Sequence, residues 1–169
     1  MTNTEEKRHV LAVIVDNEAG VLGRVVGLFS GRGYNIDSLT VSQVDKERGL
    51  SRITIATIAP EVVADHIVTL IERLVPVHKV RNLTKEGSYV ERGLTLIKVK
   101  AIGDKRAEIL HLADSFEAKE LDSTDKSFVF EISDNPSKLN EFLDAMRNYG
   151  IIEYTRTGVT AIARGADEF

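Results

Sequence analysis

The sequence predicts an α+β protein made of two ferredoxin-like βαββαβ sandwiches. Three observations support this fold class. Apolar residues alternate between strand and helix spacing, the same order of elements occurs in both halves, and turn residues separate the elements. The chain has 169 residues, of which 43% are hydrophobic and 28% charged, so it is long enough for two small domains with separate cores.

The first half has the order strand, helix, strand, strand, helix, strand. Residues 10–15 form an apolar run that is β-branched at four of six positions, which is typical of a buried strand. An apolar stripe from residue 21 to residue 29 predicts a helix, which the glycines at 31 and 33 end. The later elements are strands at 36–44 and 52–58, a helix that starts at Pro60 and a strand at 77–83.

The second half repeats this order after a polar stretch, 84–92, which we interpret as a linker. Asp104 is a predicted N-cap, and Asn135 with Pro136 starts another helix. The predicted elements are a strand at 94–101, the Asp104 helix, strands at 120–124 and 127–133, the Asn135 helix closed by Gly150, and a last strand at 151–162 that Gly158 interrupts.

This topology places both helices of a domain on one face of its sheet. The other face and the sheet edges then lack a partner, and a domain of this size buries little surface alone. We therefore expect a homodimer or a higher homo-oligomer, most simply with C2 symmetry. The predicted domains are an N-terminal domain at 8–83, the linker at 84–92 and a C-terminal domain at 93–165.

Composition excludes several classes of function. A net charge of −4 and a pI near 5.6 argue against nucleic acid as a partner. The chain has no cysteine, which excludes disulfides and thiolate metal sites. No apolar run approaches the ~18 residues that span a membrane. Residues 1–8 are polar and do not resemble a signal peptide, so we predict a cytoplasmic location.

The segment 16–22 connects the first predicted strand to the first helix. The first N–H groups of a helix lack internal partners, and the helix dipole favours negative charge there. Gly20 would let a ligand approach that backbone, and Asn17 offers a donor and an acceptor beside it. This arrangement predicts a site for the polar end of an amino acid rather than for a reaction.

Simpler interpretations of the same residues stay open. Gly20 can be only a helix start, and Asn17 only an N-cap. Asp16 and Asp37 have no nucleophile or histidine beside them in the motif, so we predict no catalytic residue. The four histidines lack the spacing of metal ligands, and the glycines at 31 and 33 lack the third glycine of a dinucleotide site.

Longer stretches of the chain resemble a known family. Residues 17–29 resemble the opening of an ACT domain, a small module that senses amino acids. Residues 32–41 with 50–54, and in the second half 90–99 with 155–158, are similar to the small regulatory subunit of acetolactate synthase (acetohydroxyacid synthase). The similarity covers nearly the whole chain after the first eight residues.

The resemblance implies a regulatory subunit without a cofactor of its own. The large catalytic subunit of that family carries thiamine diphosphate, magnesium and usually FAD, and it joins pyruvate to a second 2-keto acid. The small subunit raises this activity and confers inhibition by valine, which lies between ACT domains of two small subunits. The implied site takes Asn17, Gly20, Val21 and Leu22 from one chain, with Ala19 between them, and Asn35 and Ile36 from its partner.

Two other functions remain as alternatives. A stand-alone ACT-type amino-acid sensor or transcriptional regulator would need a basic surface or a pair of DNA-binding helices, which the sequence does not indicate. A small enzyme would need a reactive group of residues.

Gly23 stands where relatives often have serine, which leaves open whether valine, leucine or isoleucine is preferred. Gly103 and Asp104 lack the Asn-x-x-Gly spacing, so we predict no comparable site in the second half.

Overall fold

The computed structural model describes residues 5–169. Residues 1–4, part of the polar start on which the predicted cytoplasmic location rests, lie outside the described residues. Contacts divide the chain into two compact units. Unit 1 runs to Val90 and resumes at Val159–Phe169, and unit 2 is Glu91–Gly158.

Unit 1 contains a four-stranded antiparallel sheet of order β2-β3-β1-β4. Its helices α1 and α2 connect β1 to β2 and β3 to β4, which is the predicted βαββαβ order. The elements are β1 (Lys7–Asp16), α1 (Val21–Ser30), β2 (Ser38–Asp45), β3 (Leu50–Ala59), α2 (Glu61–Glu72), β4 (Val77–Asn82) and a short helix α3 (Leu83–Glu86).

The core of unit 1 lies between the sheet and its two long helices. Alternate residues of β1, among them Leu11 and Val13, are fully buried against α1 and α2. Val25, Phe29 and Ile67 meet them from the helices, because three- and four-residue spacing places apolar side chains on one helix face. This packing fixes where β1 ends and α1 begins.

Unit 2 repeats the topology with a sheet of order β6-β7-β5-β8. Its core contains Ile97, Phe128, Phe130 and Phe142, each at most 2% exposed. The elements are β5 (Tyr89–Lys100), α4 (Lys105–Ser115), β6 (Lys119–Ser123), β7 (Ser127–Asp134), α5 (Pro136–Arg147) and β8 (Ile151–Arg156).

The helix starts in unit 2 differ from each other. The side chain of Asn135 accepts a hydrogen bond from the Lys138 amide at 3.0 Å, and Pro136 opens α5 as predicted. Asp104 precedes α4, but its side chain makes no capping hydrogen bond. The predicted helix start at Asp104 is confirmed, but Asp104 does not cap α4 with its side chain, because the residue has helical backbone angles (φ −65°, ψ −23°) instead of the extended ones typical of an N-cap.

The end of the chain differs from the expected single strand at 151–162. That stretch forms two strands, β8 and β9 (Thr160–Ala163), and β9 pairs with β5. Residues 159–169 belong to unit 1, although 93–165 was expected to form one domain. The expected linker, 84–92, contains most of α3 and the first residues of β5.

The α+β class and the two βαββαβ sandwiches are confirmed. Within residues 5–169, no helix combines the length and the apolar character that crossing a membrane would require.

Candidate functional site

The connection from β1 to α1 ends in a glycine with a left-handed backbone. Gly20 has φ 86° and ψ −9° and directly precedes Val21, the first residue of α1. A Cβ atom added at Gly20 would meet no atom within 4 Å, so the space in front of this backbone is open. The positive φ, and not crowding, is what favours glycine here.

The first turn of α1 presents unpaired backbone amides. The Arg24 amide donates to the Gly20 carbonyl at 3.0 Å, and the Val21 amide reaches the Glu18 carbonyl only at 3.5 Å. Among residues 5–169, the amides of Leu22 and Gly23 have no acceptor. The first turn also has no acidic residue, so nothing on the helix itself neutralises the positive end of its dipole.

Asn17 stands beside these amides. Its own amide donates to the Gly49 carbonyl at 2.7 Å, which holds the connection against the turn between β2 and β3. Its side chain is exposed and has no hydrogen-bond partner among residues 5–169. An amide side chain that is not used within the chain is available to orient a polar ligand.

The apolar residues of the motif divide between core and surface. Val21 is 3% exposed and packs in the core of unit 1, so it can contribute only its backbone to a site. Leu22 is 40% exposed, so its side chain lies outside the core and is accessible to a ligand or a second copy. Ala19 is exposed next to Gly20.

The other two predicted site residues lie after α1. The Asn35 side chain donates to Asp37 Oδ1 at 2.9 Å, and the Asn35 carbonyl accepts from the Thr57 hydroxyl at 2.6 Å. Ile36 is half-buried against the core of unit 1. The loop is thus tied to β3 while the Asn35 side chain remains at the surface.

The two groups of predicted residues lie at opposite ends of α1 within one chain. Gly20 precedes the helix and Asn35 follows it. A helix of ten residues is about 15 Å long. One chain therefore does not bring Gly20 and Asn35 into one pocket, and a site that uses both needs two copies.

A contact between Asp16 and His78 beside the motif was not predicted. The Asp16 carboxylate contacts His78 Nε2 at 2.6 Å, and the Asp16 amide donates to the Pro76 carbonyl at 2.9 Å. The antiparallel pairing of Val15 with Val77 explains this, because it places the end of β1 beside the start of β4. Strand pairing is the signal that could have revealed it.

The corresponding helix start in unit 2 has an arginine side chain that bonds within the chain. The Arg106 guanidinium donates to the carbonyls of Ala101 and Thr124 and to the Ser123 hydroxyl. It also lies 4.2 Å from the centre of the Phe128 ring. Within residues 5–169, no group of three or more His, Asp or Glu side chains could hold a metal ion.

Two protein-family models match the chain. The first, described as the AHAS small subunit-like ACT domain, matches residues 11–79. The second, described as the small subunit of acetolactate synthase, matches residues 92–165. The two matches fall on unit 1 and on the region that is mostly unit 2.

Relatives that match nearly the whole chain indicate the same family. A probable acetolactate synthase small subunit of Archaeoglobus fulgidus is 42% identical, covering 94% of this chain and 98% of the relative. The acetolactate synthase isozyme 3 small subunit of Escherichia coli is 39% identical, with 94% and 96% covered. The crystal structure of the acetolactate synthase small subunit from Thermotoga maritima matches with a TM-score of 0.85 at 32% identity, covering 95% and 99%.

These matches confirm the family that the motifs indicated. The name of the subunit implies a catalytic large subunit as partner. The chain belongs to the family of acetolactate synthase small subunits.

Proposed function

We propose that the protein activates the catalytic large subunit of acetolactate synthase and confers feedback inhibition by valine. Valine binds where the start of α1 in one copy meets Asn35 and Ile36 of a second copy. The observation that carries this proposal is the uncovered start of α1, where the amides of Leu22 and Gly23 have no acceptor among the described residues. Thiamine diphosphate, magnesium and FAD belong to the large subunit in this proposal.

The helix start supplies the binding site for the carboxylate. Its amides carry the positive end of the dipole, equivalent to about half an elementary charge. The left-handed glycine has no side chain in front of this backbone, so a carboxylate can approach. The free side chain of Asn17 then orients the polar groups of the ligand.

Apolar contacts hold the isopropyl group. Leu22 is exposed in the single chain and Ile36 is half-buried, so both have surface to lose when a second copy brings them together. Burial of one such side chain contributes about 1.5–3 kcal/mol, and one methylene about 0.8 kcal/mol. The apolar contacts alone therefore separate valine from leucine or isoleucine by only a few-fold.

A site that uses two chains gives a direct route to regulation. A ligand shifts a conformational equilibrium only if it contacts the two states differently. Valine held between two copies favours the dimer geometry that closes the site, and this geometry is what the large subunit would sense.

Reconstitution with the catalytic large subunit tests the proposal. The small subunit should raise acetolactate formation, and titration with valine, leucine and isoleucine should then lower it at different concentrations. A large subunit that is unaffected by this chain would contradict the proposed activation. Activation without any response to the three amino acids would contradict the proposed site.

A further inference from the structure

The residues that follow unit 2 form a segment, 159–169, that we call the tail segment; it belongs to unit 1. Its backbone bonds to the rest of unit 1. The Arg52 guanidinium donates to the Ala161 carbonyl at 2.7 Å, and the Thr40 hydroxyl donates to the Val159 carbonyl. The Arg164 amide donates to the Ser88 carbonyl at 2.9 Å.

The tail segment and α3 cover part of the sheet face that α1 and α2 leave open. Val10 and Ala12 point away from α1 and α2 but are fully buried. They form a small apolar cluster with Leu83 and Ala161, and Phe169 packs against it. The tail segment thus contributes apolar side chains that help bury this face of β1.

Phe169 lies among three cations. Its ring centre is 4.8 Å from the Arg52 guanidinium carbon, 5.2 Å from Lys79 Nζ and 5.6 Å from the Arg81 guanidinium carbon. Burial lowers the pKa of Arg52, and the charge of Arg81 lowers it further. Because an aromatic face attracts cations, the ring stabilises side chains that would otherwise repel one another. The Phe169 ring therefore has a defined position among Arg52, Lys79 and Arg81, which we call its seat.

The tail segment also contacts the strand that follows the predicted effector loop. The Val159 amide reaches the Ser38 hydroxyl at 3.4 Å, beside the bond from Thr40. Ser38 begins β2, two residues after Ile36. β2 is an edge strand with one sheet neighbour, β3, so the contacts from the tail segment are a second support for it.

We propose that the tail segment is a strap, seated by Phe169, that holds β2 and so presets the loop of Asn35 and Ile36 for the effector. This inference rests on the proposed function, since it concerns affinity for valine at the same site. A loop that is ordered before binding loses less conformational freedom on binding, which raises affinity. Release of the strap should weaken valine binding without removing activation.

Three variants of the full chain test the strap. Phe169→Ala removes the ring from its seat. Ile162→Ala is the matched control, because it removes an apolar side chain from the same segment that is 61% exposed. Phe169→Trp keeps an aromatic ring and introduces the sole tryptophan of a chain that has none, so its fluorescence reports whether the seat is occupied.

Hydrogen exchange and valine titration of the reconstituted enzyme provide the two readouts. We expect Phe169→Ala to speed exchange of amides 36–42 and to raise the half-inhibitory valine concentration about two- to tenfold. Ile162→Ala and Phe169→Trp should match wild type in both, and the tryptophan should emit as a partly buried ring.

Unchanged exchange in Phe169→Ala would overturn the strap, as would solvent-like emission from Phe169→Trp. Faster exchange with an unchanged valine response would also overturn it. If valine does not inhibit the wild-type reconstituted enzyme, the proposed function is wrong. The rate of amide hydrogen exchange at residues 36–42 then decides by itself whether the tail segment holds β2.

Discussion

The two units share one topology, but their first helices begin in different ways. A left-handed glycine with open space around it precedes both helices, Gly20 before α1 and Gly103 before α4, but the first turn of α1 has no acidic residue. In unit 2 the first turn of α4 contains Glu108, and the Arg106 side chain there makes three hydrogen bonds within the chain. The two helix starts thus differ in a few side chains on the same fold, and our proposal places the effector site in unit 1 alone on this difference.

The largest expected effect comes from a carboxylate placed at the open helix start. Gly20→Asp puts this charge where the carboxylate of valine binds in our proposal. Like charges about 4 Å apart repel by about 1–4 kcal/mol near a protein surface, so the half-inhibitory valine concentration should rise by about fivefold to several hundredfold. Activation of the large subunit should persist, and enzyme assays at increasing valine concentrations measure both.

Gly103→Asp is the matched control for that change. Gly103 also has a positive φ, 63° against 86° for Gly20, and neither glycine has a neighbour within 4 Å of an added Cβ. The strain and charge introduced are therefore similar, and valine inhibition should be normal. Gly20→Ala introduces the backbone strain of a side chain at positive φ without a charge, so it shows how much of the Gly20→Asp effect is due to strain alone. Full valine sensitivity in Gly20→Asp would show that the site lies elsewhere.

A smaller effect is expected from the exposed leucine beside the helix start. Leu22→Ala removes an apolar side chain that contacts the isopropyl group in our proposal. The loss of about 1 kcal/mol of burial should raise the half-inhibitory valine concentration about fivefold. Ile102→Ala, which removes an exposed apolar residue just before α4, should leave it unchanged. An equal effect of both variants would contradict the difference between the two helix starts.

The smallest effect is expected at the start of α5, where the Asp134 carboxylate bonds to Asn135 and Lys138 of the same chain. Burial raises the pKa of Asp134, but hydrogen bonds from the Asn135 amide and the Lys138 ammonium lower it below its usual range overall. The folded pKa therefore lies below the unfolded value of about 3.9. The resulting stability is fully present above this pH and is lost as pH falls through the folded pKa.

Asp134→Asn should therefore lower the free energy of unfolding by about 1 kcal/mol or less at pH 7. At pH 3 the difference from wild type should be smaller. Urea unfolding curves at both pH values measure it. A difference that grows on acidification would contradict the assigned direction of the pKa shift.

Local patterns were sufficient to predict most of the fold. Helix and strand periodicity, Pro136 and the glycines after α1 are short-range signals, and they identified both βαββαβ units. The family followed from ordered motifs, and the model and relative matches confirm it. The effector residues stay a prediction, because they would meet only across two copies of the chain.

Long-range contacts explain what the sequence did not reveal. Phe169 contacts Arg52 and Lys79, and no local pattern joins residues so far apart in the chain. The pairing of His78 with Asp16 depends on β1 lying beside β4. The Asp104 cap was predicted from residue preference, but the backbone there is already helical.

Our proposal predicts that Gly20→Asp and Asn35→Ala each remove valine inhibition. Mixed dimers of these two variants test the central claim most directly, namely that the valine site joins the α1 start of one copy to the Asn35 loop of another. In a C2 dimer that contains one Gly20→Asp chain and one Asn35→Ala chain, one site has both changes and the other has neither. We expect the purified mixed dimer, reconstituted with the large subunit, to regain about half of the wild-type valine inhibition. A mixed dimer as insensitive as its parents would contradict the two-chain site.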